Sequence, residues 1–145
     1  MGRLIAIART HELRAPMEAM ERARVSVENG IAGDARGRKV DRQVTVLFRE
    51  GWEDACHEVG VDLPWLTRRA NLYVEGLPPP QASGGRLSIG RMVLEITKET
   101  APCELMERAQ EGLRAAMTPE WRGGVCCRVL SGGDIAVGDA VTLEG

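Results

Sequence analysis

Glycine interrupts this chain so often that it leaves little room for long regular elements. Seventeen of the 145 residues are glycine. Because glycine is the usual residue of tight turns, this density favours short strands joined by turns over long helices. Stretches typical of strands lie at residues 3–9, 25–28, 43–48, 71–74 and 124–130. We therefore predict a mainly β fold.

Two glycine-rich segments resemble each other. Residues 84–93 and 132–141 each begin with Gly-Gly and continue as a short strand, a bend that contains glycine and a second strand. Glycine relieves the steric conflict where a backbone turns a tight corner. Two such corners suit a small closed or nearly closed β-barrel, although two turns can also resemble each other by chance. The length of the chain predicts one domain over residues 1–145.

Few segments have the apolar spacing of a helix. Residues 50–59 carry Trp52, Ala55, Cys56 and Val59 at helical spacing, which predicts a short helix. The one main helix is predicted near residues 103–117, where an apolar stripe recurs every three to four residues. Thr118-Pro119 is expected to end it.

Charge and cysteine spacing exclude several classes of protein. The net charge is −2 and the pI about 5.8, which argues against a domain that binds nucleic acid through bulk positive charge. Residues 1–9 are too short for a signal peptide or a membrane span, so we expect a cytoplasmic protein with no membrane partner. None of the four cysteines forms a Cys-x-x-Cys pair, which makes a zinc site improbable and reduced thiols the expectation.

Cys103 is the residue that most clearly indicates chemistry. It follows Pro102 and opens the predicted helix. A cysteine in the first turn of a helix lies near unpaired backbone N–H groups, which stabilise the reactive thiolate. Glu104 and Glu107 oppose this effect with their negative charge. The alternative interpretation is a buried structural cysteine.

Polar residues cluster in three loops that precede predicted strands. They are Asp34, Arg36, Arg38, Lys39 and Arg42 in the first loop, Arg68, Arg69 and Asn71 in the second, and Arg122 in the third. Arginine suits bidentate contact with phosphate, carboxylate or other oxyanions. If the loops converge they form an anion site, and if they do not they are ordinary solvated charges.

Seven short segments share their order along the chain with one known family. They are Gly30-Ile31-Ala32-Gly33-Asp34, Arg42-Gln43-Val44, Arg69-Ala70-Asn71-Leu72, Leu87-Ser88-Ile89-Gly90, Ala101-Pro102-Cys103, Arg122-Gly123-Gly124-Val125 and Val137-Gly138-Asp139. In this order the segments resemble the MOSC domain, the C-terminal domain of molybdenum-cofactor sulfurase. The resemblance runs from about residue 16 to the end of the chain.

The resemblance implies a fold and a set of site residues. The implied fold is a β-barrel like the small barrel domain of pyruvate kinase, and the implied working residue is Cys103. Position by position, the resemblance implies binding of an anion or cofactor by Asp34, Arg69, Asn71 and Arg122. We add Arg36, an arginine of the first loop, to this candidate site. Two positions depart from the family pattern, because Arg36 stands where members often have histidine and Ala70 where many have glutamate.

The same resemblance implies three alternative functions. The first is a sulfur carrier that holds sulfur as a persulfide on Cys103 and receives it from a cysteine desulfurase or another sulfur donor. The second is a reductase of N-hydroxylated compounds, in which Cys103 ligates the molybdenum of a molybdenum cofactor and a redox partner supplies electrons. The third is a non-enzymatic module that binds an anionic ligand. The family is also associated with pyridoxal phosphate binding.

Overall fold

Strands dominate the computed structural model, which describes residues 1–145. The strands are β1 (Gly2–Arg9), β2 (Glu18–Met20), β3 (Arg22–Ser26), β4 (Gly30–Ile31), β5 (Val44–Phe48), β6 (Leu72–Glu75), β7 (Arg86–Ile89), β8 (Met92–Glu99), β9 (Val125–Ser131), β10 (Gly133–Ala136) and β11 (Ala140–Glu144). The α-helices are α1 (Arg49–Val59), α2 (Glu104–Ala109) and α3 (Leu113–Met117). No helix combines the length and the apolar character needed to cross a membrane.

Seven of the strands close into a barrel. Their order is β11-β7-β8-β9-β5-β6-β1, and β11 pairs with β1 to complete the ring. Only β5 and β6 run parallel, while the other neighbouring strands are antiparallel. β2 extends the sheet beside β1, and β10, β3 and β4 form a separate small sheet. The predicted mainly β barrel is confirmed.

The barrel encloses the larger of two apolar cores. This core has twenty-one buried residues, most of them on barrel strands, such as Leu4, Val46 and Leu94, and some on the small sheet, such as Val25 and Ile135. Alternate residues of a strand point to opposite faces of the sheet, so each strand contributes every second side chain to this interior. The barrel is therefore filled and has no central channel.

A helical layer covers one outer face of the barrel. α1 and α3 pack there over nine buried residues that include Leu47, Trp52 and Leu113. All five residues of β5 are buried because one of its faces meets the barrel interior and the other meets these helices. The helical layer thus lies beside the parallel pair β5 and β6.

The prediction of one continuous helix near residues 103–117 is wrong. The chain instead forms α2 and α3, and Gly112 between them has φ +86°. The side chain of Glu107 accepts hydrogen bonds from the backbone N–H of Gly112 at 2.9 Å and of Arg114 at 3.3 Å. It thereby caps the start of α3, and α1 is the longest helix of the chain.

The two similar glycine-rich segments have different roles. β7 and β8 pair with each other as a hairpin across Gly90. β10 and β11 do not pair with each other: β10 pairs with β3, and β11 pairs with β7 and β1. The turn between β10 and β11 therefore connects the small sheet to the barrel. The Asp139 side chain accepts a hydrogen bond from Ala136 N at 2.8 Å and stabilises this corner.

Candidate functional site

Four arginines converge on one small cavity at the end of the barrel strands. Its lining consists of Arg36, Arg42, Thr45, Val46, Arg68, Arg69, Ala70, Thr100 and Gly123. The cavity holds about 10 Å³, roughly the space of a single water molecule. No carboxylate lines it. We call this set of residues the arginine pocket.

The pocket assembles from segments that are far apart in the sequence. Arg36 and Arg42 come from the loop between β4 and β5, and Thr100 follows β8. Arg68 ends a turn of 3₁₀-helix at Trp65–Arg68, and Arg69 follows it with φ +60°. A left-handed conformation is uncommon for a residue with a side chain, and here it ends the turn before β6. The loops that carry these arginines do converge, as an anion site requires.

Arg68 is the most buried charged side chain of the site. Only 8% of its surface is exposed, and it donates hydrogen bonds from Nε to Gly123 O at 3.1 Å and from Nη2 to Thr100 O at 2.6 Å and Ala101 O at 3.3 Å. Burial lowers the pKa of Arg68 to about 10, although the negative charge of an ionised Cys103 opposes this effect. Arg68 is therefore protonated at neutral pH.

Arg36 and Arg42 carry donors that have no partner in the protein. Arg36 donates from Nη2 to Arg69 O at 2.9 Å, but its Nε is buried without a hydrogen bond, as is the Nε of Arg42. Burial lowers the pKa of Arg36, and the nearby Asp34 carboxylate opposes that shift. Buried polar groups in proteins are nearly always hydrogen-bonded, so these two donors are free to bind water or another acceptor in the pocket.

Cys103 lies exposed just before α2. It is two residues beyond Ala101, whose carbonyl Arg68 holds. α2 has only six residues, so the helix contributes less stabilisation of a thiolate than a longer one would. Arg68 is the buried cation close enough for an ionised Cys103 to raise its pKa.

The other cysteines are buried. Cys126 Sγ lies 3.3 Å from Thr100 Oγ1, next to the pocket lining. Cys127 faces the barrel interior, where burial raises the pKa of its thiol. Burial also raises the pKa of Cys56, which packs in the helical layer. No group of three His, Cys, Asp or Glu side chains is placed to hold a metal ion.

Asp34 and Asn71 support the site from outside the cavity. Asp34 accepts hydrogen bonds from Thr10 N at 3.0 Å and Arg36 N at 3.3 Å, which holds the loop that carries Arg36. Asn71 is buried, donates from Nδ2 to Ala8 O at 3.1 Å and accepts from Thr45 N at 3.0 Å. It joins β1, β5 and β6, and it makes no contribution to the cavity wall.

Arg122 lies away from the arginine pocket. Its side chain is 12% exposed, pairs with Glu58 at 2.8 Å and donates to Ala116 O at 3.0 Å. It therefore joins α3 to α1. Arg42 and Arg68 line the pocket instead, although the family resemblance does not point to Arg68 at all. The clustering of Arg68 with Arg69 is the only sequence signal for it.

Comparison with known proteins agrees with this architecture. The family model for the MOSC domain matches residues 24–142. The chain belongs to the MOSC domain family. This MOSC protein matches no curated protein sequence, but solved structures share its fold.

Three of those structures have low sequence identity to this MOSC protein. The YuaD protein from Bacillus subtilis has a TM-score of 0.80 at 19% identity, over 100% of this chain and 97% of that one. YiiM from Escherichia coli has a TM-score of 0.68 at 17% identity, and the match covers 99% of this chain and 70% of that one. YiiM from Geobacillus stearothermophilus has a TM-score of 0.70 at 18% identity, and the match covers 99% of this chain and 73% of that one. At such identities the likeness concerns the fold alone.

Proposed function

We propose that this MOSC protein is a sulfur carrier that holds sulfur as a persulfide on Cys103. One observation carries the proposal. Arg68 lines the arginine pocket and also bonds the backbone of Thr100 and Ala101, which leads directly into the exposed thiol. A reachable sulfur atom and an anion-binding cavity therefore belong to one connected unit.

The arrangement suits transfer of sulfur from a donor persulfide. The Cys103 thiolate attacks the outer sulfur of the donor, the donor's S–S bond breaks, and the donor leaves as a thiolate while Cys103 becomes a persulfide. Attacking thiolate, product persulfide and leaving thiolate are all anions. Guanidinium groups nearby stabilise them through charge-assisted hydrogen bonds. We propose a cysteine desulfurase or another sulfur donor as the partner.

Molybdenum-cofactor binding is less well supported by this pocket. The cofactor's pterin is far larger than a cavity of about 10 Å³, so the four arginines cannot enclose it. Cys103 is exposed and its thiolate is a soft ligand, so this residue alone fits the metal of that cofactor. We propose no step that runs through that cofactor.

Loading with sulfur tests the proposal. The protein is incubated with a cysteine desulfurase and cysteine, and the intact chain is weighed by mass spectrometry. We expect a gain of one sulfur atom that maps to Cys103, is removed by a reducing agent and is lost in Cys103→Ala. The matched control Cys56→Ala changes a cysteine outside the site and is expected to load normally. A protein that binds anions but gains no sulfur would be a binding module and would contradict the carrier role.

A further inference from the structure

The charge of the arginine pocket demands an anionic occupant. Four guanidinium groups line it and no carboxylate does. Arg68 and Arg69 direct hydrogen bonds to backbone carbonyls, which are neutral acceptors. Asp34 near Arg36 and Asp41 near Arg42 offset part of the positive charge from outside the lining, and the rest is held in place without a counter-ion. A ligand with more than one negative charge matches this wall better than a monoanion does.

The size of the cavity limits which anion can enter. A space of about 10 Å³ accepts no more than part of a small oxyanion unless the outer arginines move. The side chains of Arg36, Arg42 and Arg69 are only partly buried and can adjust, whereas Arg68 is fixed by three hydrogen bonds. A nucleotide, a pterin or a peptide is excluded from the pocket itself.

The reactivity of Cys103 further limits which anion could serve as its sulfur donor. Sulfate, phosphate and simple carboxylates satisfy guanidinium groups but offer nothing that a thiolate attacks. A sulfur oxyanion with an outer sulfur offers both: its oxygens suit the arginines and its S–S bond is open to thiolate attack. Cys103 does not line the pocket, but it lies two residues beyond Ala101, whose carbonyl Arg68 holds, and its ionised thiol is close enough to act on the charge of Arg68. An oxyanion held at the Arg68 side of the pocket would therefore carry its outer sulfur toward this thiol.

We infer that the sulfur donor of Cys103 is a small sulfur oxyanion of the thiosulfate class, bound through its oxygens by the arginine pocket. This inference rests on the proposed carrier function and names its donor. The Cys103 thiolate attacks the outer sulfur of thiosulfate, a new S–S bond forms on Cys103, and the S–S bond of thiosulfate breaks. Its electron pair leaves with sulfite. One thiolate and one dianion become one persulfide anion and one dianion, so charge and atoms balance and no oxidant is needed.

The arginines have a defined purpose in this reaction. A thiolate and a dianion repel each other, and in water that repulsion slows their encounter. Guanidinium groups on the pocket wall offset the repulsion and stabilise the departing sulfite dianion. The Nε donors of Arg36 and Arg42, which have no acceptor in the protein, supply hydrogen bonds to the oxyanion.

The test measures persulfide on Cys103 and release of sulfite after addition of thiosulfate. Wild-type protein is expected to gain one sulfur atom on Cys103 and to release sulfite in equal amount, and Cys103→Ala is expected to do neither. The double variant Arg36→Gln/Arg42→Gln should load at least about tenfold more slowly, since each charge-assisted hydrogen bond is worth about 1.5–3 kcal/mol. Arg91→Gln, on the exposed turn between β7 and β8, is the matched control and should load like the wild type.

A parallel reaction with a cysteine desulfurase and cysteine separates the two claims. If the desulfurase loads Cys103 and thiosulfate does not, the carrier function stands and the inferred donor is wrong. If thiosulfate loads the wild type and the double variant equally fast, the arginine pocket is not the donor site and the inference also falls. Loading by neither donor overturns both claims. Inhibition of thiosulfate loading by sulfate in the wild type but not in the double variant would support the inference further.

Discussion

At the scale of single residues, Arg68 explains more of the site than Cys103 does. The sequence points to Cys103 through its position at a helix start, but the helix is short and the thiol is exposed. Arg68 carries no such signal because its partners are backbone carbonyls, which any sequence has. They lie 32, 33 and 55 residues away. A contact between a side chain and a distant backbone is invisible to motif analysis.

Arg68→Met should destabilise the protein by about 1.5–3 kcal/mol, because the buried carbonyls of Thr100 and Gly123 and the carbonyl of Ala101 lose a charged donor. Arg68→Lys should recover only part of this loss, since an ammonium cannot reach all three carbonyls in the geometry of a guanidinium. Urea denaturation measures both effects. Arg91→Met, on an exposed turn, serves as the control. Equal stability of the Arg68→Met variant and the wild type would contradict the role of Arg68 as a structural clamp.

Tyr73 is expected to make the stability of the folded protein fall as the pH rises in the alkaline range. Its ring stacks on Trp65 with a centroid distance of 5.2 Å, and burial raises its pKa from 10.0 to about 12. The folded state disfavours tyrosinate. The stability that neutral Tyr73 contributes to the folded protein is therefore fully present below pH 10 and is lost as the pH rises toward 12.

Two measurements check the Tyr73 prediction. Tyr73 is the only tyrosine in the chain, so its ionisation can be followed directly by absorbance in the folded and the urea-unfolded protein. Tyr73→Phe should remove this part of the pH dependence of unfolding. A midpoint that is the same in the folded and unfolded protein would refute the prediction.

At the scale of elements, the sequence locates several barrel strands and α1, which is predicted over residues 50–59 and spans Arg49–Val59, but it misses the break between α2 and α3. Short runs bounded by glycine and polar residues mark β1, β5, β6 and β9 nearly to their ends. The apolar stripe over residues 103–117 predicts one helix, but the stripe is kept across the break between α2 and α3. Met106 and Leu113 are both buried in the helical layer. Periodicity reports which face is buried and cannot report a break that preserves that face.

The cap formed by Glu107 gives a prediction at this scale. Glu107→Ala should reduce stability by about 0.5–2 kcal/mol, because the N–H groups of Gly112 and Arg114 lose their acceptor. Glu104→Ala is the matched control: Glu104 is exposed and only approaches Arg114 at 3.6 Å, so its loss should be nearly neutral. Thermal or urea unfolding compares the two variants. A larger loss for Glu104→Ala would mean that the cap is not what separates α2 from α3.

At the scale of the whole molecule, closure of the barrel is what brings the loops of the arginine pocket together. The glycine-rich corners predict a small closed barrel, and the ring of seven strands confirms it. Closure brings the loop before β5, the turn before β6 and the end of β8 together. Which loops meet depends on strand order, and strand order is not encoded in local patterns. For that reason the sequence alone could not separate Arg36 and Arg69, which line the pocket, from Arg122, which does not.

An anion should stabilise the folded protein as a whole. A ligand that binds only the native state adds about 2.7 kcal/mol of stability at one hundred times its dissociation constant. Sulfate should therefore raise the melting temperature above that in chloride of equal ionic strength. Because sulfate stabilises most proteins weakly through exclusion from their surfaces, the relevant quantity is the difference between the wild type and Arg36→Gln/Arg42→Gln. An identical shift in both would argue against specific binding.

The three carbonyls held by Arg68 also bear on how the protein is made. During synthesis Arg68 leaves the ribosome well before Thr100, and Gly123 follows later still. Until that last segment emerges, the guanidinium lacks one of its three carbonyl acceptors. The clamp on the backbone that leads to Cys103 is therefore complete only after residue 123 has been synthesised.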